Sequence, residues 1–336
     1  MRTPMKQRLA VGAVIFVLLL LPQLVQERYF LHIAVMAGIY TILTLSWNLL
    51  AGYTGQLNLG HAAFFGIGAY TSALVAIKLG ISAWFGLLAG GLLAAFSGFL
   101  LGFPSLRLSG PYLAITTIGF AEILRLMAIN WVDLTRGSLG LSGVPLLSPI
   151  RLGTWTIKFY YERDYYYVVL AAVLLTFFCI RRLTHSEFGV SLQAMRDDEP
   201  GAQSIGINTS RYKLTVFTLS AFFAGIAGAL FAHFARLVSP DTLSLHVTFD
   251  TLTMTMIGGL GTIAGPILGA VALTFLSEWL RALEDLFKMD VRLVLYGLLL
   301  ILTILFMREG LVGLVRGITG RFGSLPRSRN LGGDHD

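Results

Sequence analysis

"GYTGQLNLGHAAFFGIGAY", residues 52–70, lies between two long apolar runs. It holds five glycines (Gly52, Gly55, Gly60, Gly66 and Gly68) and the neutral polar residues Gln56, Asn58 and His61, with no charge. Glycine at this density interrupts a helix. Where water is absent, polar side chains beside an interruption must satisfy the backbone groups it frees. The stretch therefore reads as a broken-helix element in an apolar environment. Gly52 and Gly55 are expected to give a non-helical lead-in, with Gln56, Asn58 and His61 covering its open backbone groups. Gly60, Gly66 and Gly68 would then let the following helix pack closely.

Composition describes the same environment. Of 336 residues, 55% are hydrophobic and only 13% charged, against roughly 25% charged in a soluble domain. The mean hydropathy is +0.74. The deficit runs along the whole chain, which excludes a soluble domain on a single anchor and indicates a polytopic membrane protein. The apolar run after Met1–Ala10 has no small-x-small cleavage site before "QERYF", so it reads as a retained first span rather than a signal peptide. The net charge of +7 suits cytoplasmic loops and anionic lipid headgroups, not nucleic acid. Cys179 is the one cysteine. It cannot form an internal disulfide and is expected to be buried.

A helical crossing takes roughly 17–25 apolar residues. Such runs occupy 9–25, 29–50, 60–78, 81–103, 111–131, 165–181, 213–235 and 291–307. The run 247–282 is cut by "GGLGTIAGP" (258–266), so Gly258, Gly259 and Gly261 mark a second broken helix. Arg2, Lys6 and Arg8 precede the first span, and Arg308, Arg316, Arg321, Arg327 and Arg329 follow the last. The positive-inside rule puts both ends in the cytoplasm, which requires an even number of crossings. The expected fold is all-α and polytopic, with about ten transmembrane helices; nine plus a re-entrant segment is the alternative. The membrane domain would span 1–315, and a basic tail, 316–336, would be disordered. Glycines also open both 55–74 and 258–276, as in the internal repeats of many transporters, although shared glycine richness gives the same echo.

Two stretches are too polar to cross. Residues 132–164 read as an external excursion of turns, short strands or an interfacial helix, with Trp155 and the tyrosines suited to the headgroup zone. Residues 182–212 form a charged cytoplasmic segment. Within it, Arg196, Asp197, Asp198 and Glu199 precede Pro200 and Gly201. Proline is well tolerated at a helix start. Asp198 or Glu199 is expected to cap a short helix reaching about Ile205 and ending at Gly206.

Charge at membrane depth is confined to few sites. Glu122 and Arg125, three residues apart, share a face of the fifth span. Each would cost about 2.5–3.5 kcal/mol unpaired at a span centre, so they are expected to pair, as a gate element or as a structural pair at a protein interface or near the span's outer half. Asn48, Gln56, Asn58 and His61 are the other pathway or broken-helix candidates, with the structural role preferred. Gly225, Gly228 and Ala232 have the spacing of close helix packing. No G-x-x-x-x-G-K-[ST] or H-E-x-x-H stretch occurs, so the chain carries neither a P-loop nor that metal motif. No enzyme chemistry is indicated.

Three stretches, 51–74, 194–232 and 255–273, resemble in content and order the LivM-type permeases of high-affinity branched-chain amino acid ABC importers. "LTRGSLGLSGVP" (134–145) fits LivM-type rather than sister LivH-type chains. Together these are spread along the chain from residue 51 to residue 273. One departure stands out: Gly201 replaces an alanine, and a downstream Leu-Pro of the general importer pattern is absent. The resemblance implies a type II-like permease of the bacterial inner membrane. It would pair with a homologous, LivH-like second permease. Two cytoplasmic LivG/LivF-like ATPases would bind the ATP and Mg, so this chain needs no cofactor of its own. A periplasmic amino-acid-binding protein would deliver substrate. The resemblance also implies that Arg196, Asp197, Asp198, Glu199, Gly201, Ala202 and Gly206 form the ATPase-coupling segment. A second reading keeps the architecture and imports urea or short amides. A third, from another class, is an ATP-independent ion-coupled carrier using Glu122.

Overall fold

The computed structural model describes residues 5–25, 27–105, 108, 110–152, 155–157, 159, 161–287, 298, 301 and 310–313. Apart from residues 298 and 301, the expected span 291–307 lies outside the described residues, as do the tail 316–336 and the side chain of Trp155. Among the described residues the fold is helical, with two small pairs of strands. The first five helices are α1 (Met5–Leu24), α2 (Arg28–Thr54), α3 (His61–Lys78), α4 (Ala83–Ser105) and α5 (Pro111–Asn130). A polar excursion follows, containing a one-turn helix α6 (Val132–Thr135) and strands β1 (Leu141–Ser142), β2 (Ile150–Leu152) and β3 (Trp155–Ile157). Then come α7 (Glu162–Thr184), α8 (Glu187–Asp197), α9 (Glu199–Ser204) and α10 (Thr209–Ala235). Strand β4 (Leu237–Val238), α11 (Leu245–Gly258) and α12 (Ala264–Phe287) complete the order. By length and composition α2, α4, α5, α7 and α10 are able to cross a membrane.

Helix α2 is apolar on every side, the pattern of a helix surrounded by others. It runs through the middle of the fold, packed by α7, α10, α11 and α12, and Ile39, Leu43, Trp47 and Leu50 have no exposed surface. Beside it, α3, α4 and α10 pack face to face. Between helices in lipid there is no hydrophobic driving force, so close backbone approach and dense contact hold them together. The sequence supplies small residues where they meet. A Cβ added at Gly68 of α3 would fall on the Gly225 carbonyl of α10, and one added at Gly228 on the Phe65 carbonyl.

The excursion is pinned from within. Strand β1 pairs antiparallel with β4, and β2 with β3. His233 of α10 bonds the Pro145 carbonyl through Nδ1 at 2.7 Å and Ser72 of α3 through Nε2 at 2.8 Å. The Tyr165 hydroxyl of α7 donates to the His233 carbonyl at 3.2 Å and accepts from the Leu147 N–H at 2.9 Å.

Two expectations need correction. Gly52 is helical, because α2 continues to Thr54 and turns only at Gly55, whose φ of 71° lies in the left-handed region. Cys179 is exposed rather than buried. In lipid the outer face of a helix is as apolar as its packed face, so an apolar run does not mark burial.

Candidate functional site

The break between α2 and α3 is a buried polar junction. Asn58 Oδ1 accepts from the Gly60 N–H at 2.8 Å. Other helices satisfy the remaining freed groups. Trp47 Nε1 of α2 donates to the Asn58 carbonyl at 2.8 Å. Thr117 Oγ1 of α5 accepts from the Leu59 N–H at 3.1 Å, and Thr248 Oγ1 of α11 from the Ala62 N–H at 3.0 Å. Ser46 Oγ donates to the Leu43 carbonyl and lies 2.8 Å from His61 Nε2. The ring therefore donates to Ser46 at Nε2 and accepts from Asn58 Nδ2, 3.4 Å away, at Nδ1. Gln56 Oε1 accepts from Thr54 Oγ1 at 3.5 Å. Gln56, Asn58 and His61 are all buried. Of the three, only Asn58 bonds freed backbone in the manner expected; Gln56 and His61 spend these contacts on side chains.

The second break, residues 259–263, rests on the same helix. Asn48 Oδ1 accepts from the Gly261 N–H at 2.8 Å, while its Nδ2 donates to the Thr262 carbonyl at 2.8 Å. One helical turn earlier, Thr44 Oγ1 donates to the Pro266 carbonyl at 3.2 Å. Gly259 and Gly261 have φ values of 129° and 75°. Both breaks are thus held by consecutive residues, Trp47 and Asn48, whose directions differ by about 100° around an α-helix of 3.6 residues per turn.

The charged segment meets this second break. Asp198 caps α9 by accepting from the Gly201 N–H at 3.1 Å, and Pro200 lies in the first turn. Gly206, with φ 91°, follows the helix. Glu199 pairs with Lys213 of α10 at 2.5 Å, and Gln203 Nε2 donates to Thr209 Oγ1 at 2.9 Å. Phe188 of α8 stacks on Tyr212 of α10, with ring centroids 4.7 Å apart. Arg196 turns the other way. Its guanidinium donates to the Gly52 carbonyl of α2 at 2.5 Å, and a Cβ on Gly261 would lie 2.7 Å from the same nitrogen. Ala202 is buried, whereas Asp197, Pro200 and Gly206 are exposed. Ile205 is exposed over 77% of its surface.

The family profile described as "Branched-chain amino acid transport system / permease component" matches residues 29–304. The chain belongs to this family. The permease is 36% identical over 329 residues to the high-affinity branched-chain amino acid transport system permease protein LivM of Salmonella typhimurium, covering 93% of this chain and 76% of that protein. The Escherichia coli LivM protein matches with the same identity and coverage. The Escherichia coli permease protein LivH is 26% identical over 292 residues, covering 82% of this chain and 91% of LivH. The autoinducer 2 import system permease protein LsrC of Yersinia pseudotuberculosis is 26% identical over 213 residues, 60% of this chain and 56% of LsrC. No solved structure matches.

Glu122 and Arg125 of the permease pair as their spacing predicts, through hydrogen bonds of 2.9 and 2.6 Å. Their side chains are 40% and 30% exposed, so the pair sits on the outer side of α5 and not in the buried junction. A cleft of ≈ 830 Å³ between α4, α7 and α10 is lined mainly by apolar side chains and touches neither break. Among the described residues no cluster of three or more His, Cys, Asp and Glu is placed to hold a metal. The sequence reading missed Ser46, Thr117, Thr248, Lys213 and Ile205. The first three look like ordinary helix residues until their partners are known. The exposed apolar Ile205, at the end of a capped charged helix, was the one available signal.

Proposed function

We propose that this chain is the membrane-spanning permease subunit of an ATP-driven importer for leucine, isoleucine, valine or related amino acids. In this reading it crosses the inner membrane ten times, with both ends and the α8–α9 segment in the cytoplasm. A homologous second permease lies beside it, two ATPases bind ATP and Mg below, and a periplasmic binding protein delivers substrate. The observation that carries the reading is the α8–α9 segment. It presents Asp197, Pro200, Ile205 and Gly206 outward, while Arg196, Glu199 and Gln203 fasten it to α2 and α10. An outward face on a rigid, capped helix is what a partner that pushes on the permease requires. Closure of the ATPase pair moves this segment and shifts the spans between outward- and inward-open states, a two-state equilibrium biased by nucleotide. Asn58, His61 and Asn48 at the two breaks have protein partners, which supports reading them as helix mechanics rather than as substrate contacts.

The test is Gly206→Arg or Asp198→Lys in the purified complex. Both variants should lose co-purifying ATPases or uptake driven by hydrolysis. Retention of coupled uptake in both overturns the docking role.

A second reading keeps the architecture and changes the cargo to urea or a short amide. Uptake of labelled leucine and urea by the reconstituted importer separates the two. Uptake by the chain alone, with no ATPase partners or ATP present, and its loss in Glu122→Gln, would mark an ion-coupled carrier; no uptake under those conditions excludes it.

A further inference from the structure

Three side chains of the coupling segment, Arg196, Glu199 and Gln203, bond back onto the permease, and one of them reaches the second helix break. Helix α2 ends at Thr54, so the Gly52 carbonyl belongs to the last four, which have no intrahelical partner. The C-terminal end of a helix also carries partial negative charge and favours a cation. Arg196, in the last turn of α8, fills that role by donating to the Gly52 carbonyl at 2.5 Å. The same guanidinium nitrogen borders Gly261, so closely that a Cβ there would lie 2.7 Å away. Gly261 is in turn held to α2 by Asn48. The hydrogen-bonded route therefore runs from α8 through Arg196 to the end of α2, and from α2 through Asn48 to the break between α11 and α12.

We propose that Arg196 is the positioning residue that transmits movement of the α8–α9 segment to α2 and the 259–263 break. It is not a contact for the ATPase. The proposal rests on the reading of α8–α9 as the ATPase-docking segment and assigns its neighbours different work. Glu199 and Gln203 anchor the segment to α10, and Asp197 and Ile205 remain on the exposed side. A guanidinium suits the task because its planar array of donors holds a carbonyl in a fixed direction, whereas an ammonium is a mobile point charge. A Gly at 261 leaves room for the guanidinium, and its φ of 75° is one that a side chain would strain.

The experiment uses the complete importer in proteoliposomes, with the binding protein and labelled leucine supplied. ATP hydrolysis and uptake are measured in the same vesicles for Arg196→Ala, Arg196→Lys and Gly261→Ala. Arg196→Ala should keep its ATPases through purification and continue to hydrolyse ATP, while uptake per ATP falls roughly 2- to 30-fold, the range for residues that carry coupling between sites. Arg196→Lys should recover part of that loss. Gly261→Ala should lower the same ratio with Arg196 intact, because its methyl displaces the guanidinium. If Arg196→Ala does not assemble, the other two variants carry the test. An unchanged ratio in Arg196→Lys and Gly261→Ala overturns the proposal, as does loss of the ATPases from assembled Arg196→Ala, which would make Arg196 part of the docking face. Failure of the docking reading itself is a separate outcome, read from Gly206→Arg retaining its ATPases and coupled uptake.

Discussion

The side chain of Asn48 accepts from the N–H of Gly261 at 2.8 Å, tying the C-terminal part of α2 to the gap between α11 and α12 across 213 positions of sequence. The same amide donates to the Thr262 carbonyl, so it stands in for the helical hydrogen bonds that the gap lacks. Buried backbone groups need such partners.

Asn48→Ala should therefore be strongly destabilising. It strips one donor and one acceptor of their partners, each a loss of about 1–3 kcal/mol. Burial favours the neutral carboxyl in Asn48→Asp, which accepts from Gly261 and donates to Thr262 as the amide does, so at acidic pH its midpoint of thermal unfolding in detergent should fall between wild type and Asn48→Ala. Equal midpoints for the two variants would contradict the assignment of the amide atoms.

The Glu199–Lys213 pair is lopsided, which makes its two deletions unequal. The Lys213 side chain is 9% exposed and that of Glu199 35%. Glu199→Gln leaves a buried ammonium without its counter-charge, at a cost of about 1–3 kcal/mol or somewhat more. Lys213→Met leaves a carboxylate that solvent can reach and should cost less. Hydrogen exchange over α9 reads the difference: protection should drop further in Glu199→Gln.

Ser46 and His61 form a donor–acceptor pair suited to a double-mutant cycle. Ser46→Ala leaves the ring N–H without its acceptor, whereas His61→Phe leaves the Ser46 hydroxyl still bonded to the Leu43 carbonyl. The double variant should be more stable than the two losses added together, with a coupling energy of about 0.5–3 kcal/mol. Strict additivity in chemical unfolding would rule out the bond.

Glycines in the helices should respond according to what surrounds them. Gly228→Ala places a methyl on the Phe65 carbonyl, while a Cβ at Gly119 meets nothing within 4 Å. Gly228→Ala should reduce the folded yield from membranes. Gly119→Ala should leave it unchanged or raise it, because alanine is favoured over glycine in a helix by about 1 kcal/mol. Size-exclusion chromatography of the two variants in parallel provides the check.

Local signals in the sequence carried much of this architecture. Asp198, Pro200 and Gly206 delimit α9 because capping is decided within one helical turn. The glycines of 258–261 announce a break for the same reason, and Glu122 and Arg125 pair because three residues bring them to one face. What could not be read was non-local. Nothing near Arg196 indicates that its partner is Gly52, 144 positions earlier, and nothing near His233 indicates Pro145. The orientation of Cys179 was unreadable on other grounds. Lipid and protein interior are both apolar, so the side facing each has the same composition.

Trp47 and Asn48 have a consequence for how this chain can be rebuilt. The two residues are consecutive, yet one grips the lead-in to α3 and the other the lead-in to α12. A chimera that exchanges α2 alone for that of a relative would have to fit two foreign segments at once. One that exchanges α2 together with residues 55–60 and 259–263 keeps both grips intact. The interchangeable part is therefore discontinuous in sequence, and its boundaries follow hydrogen bonds instead of helix ends.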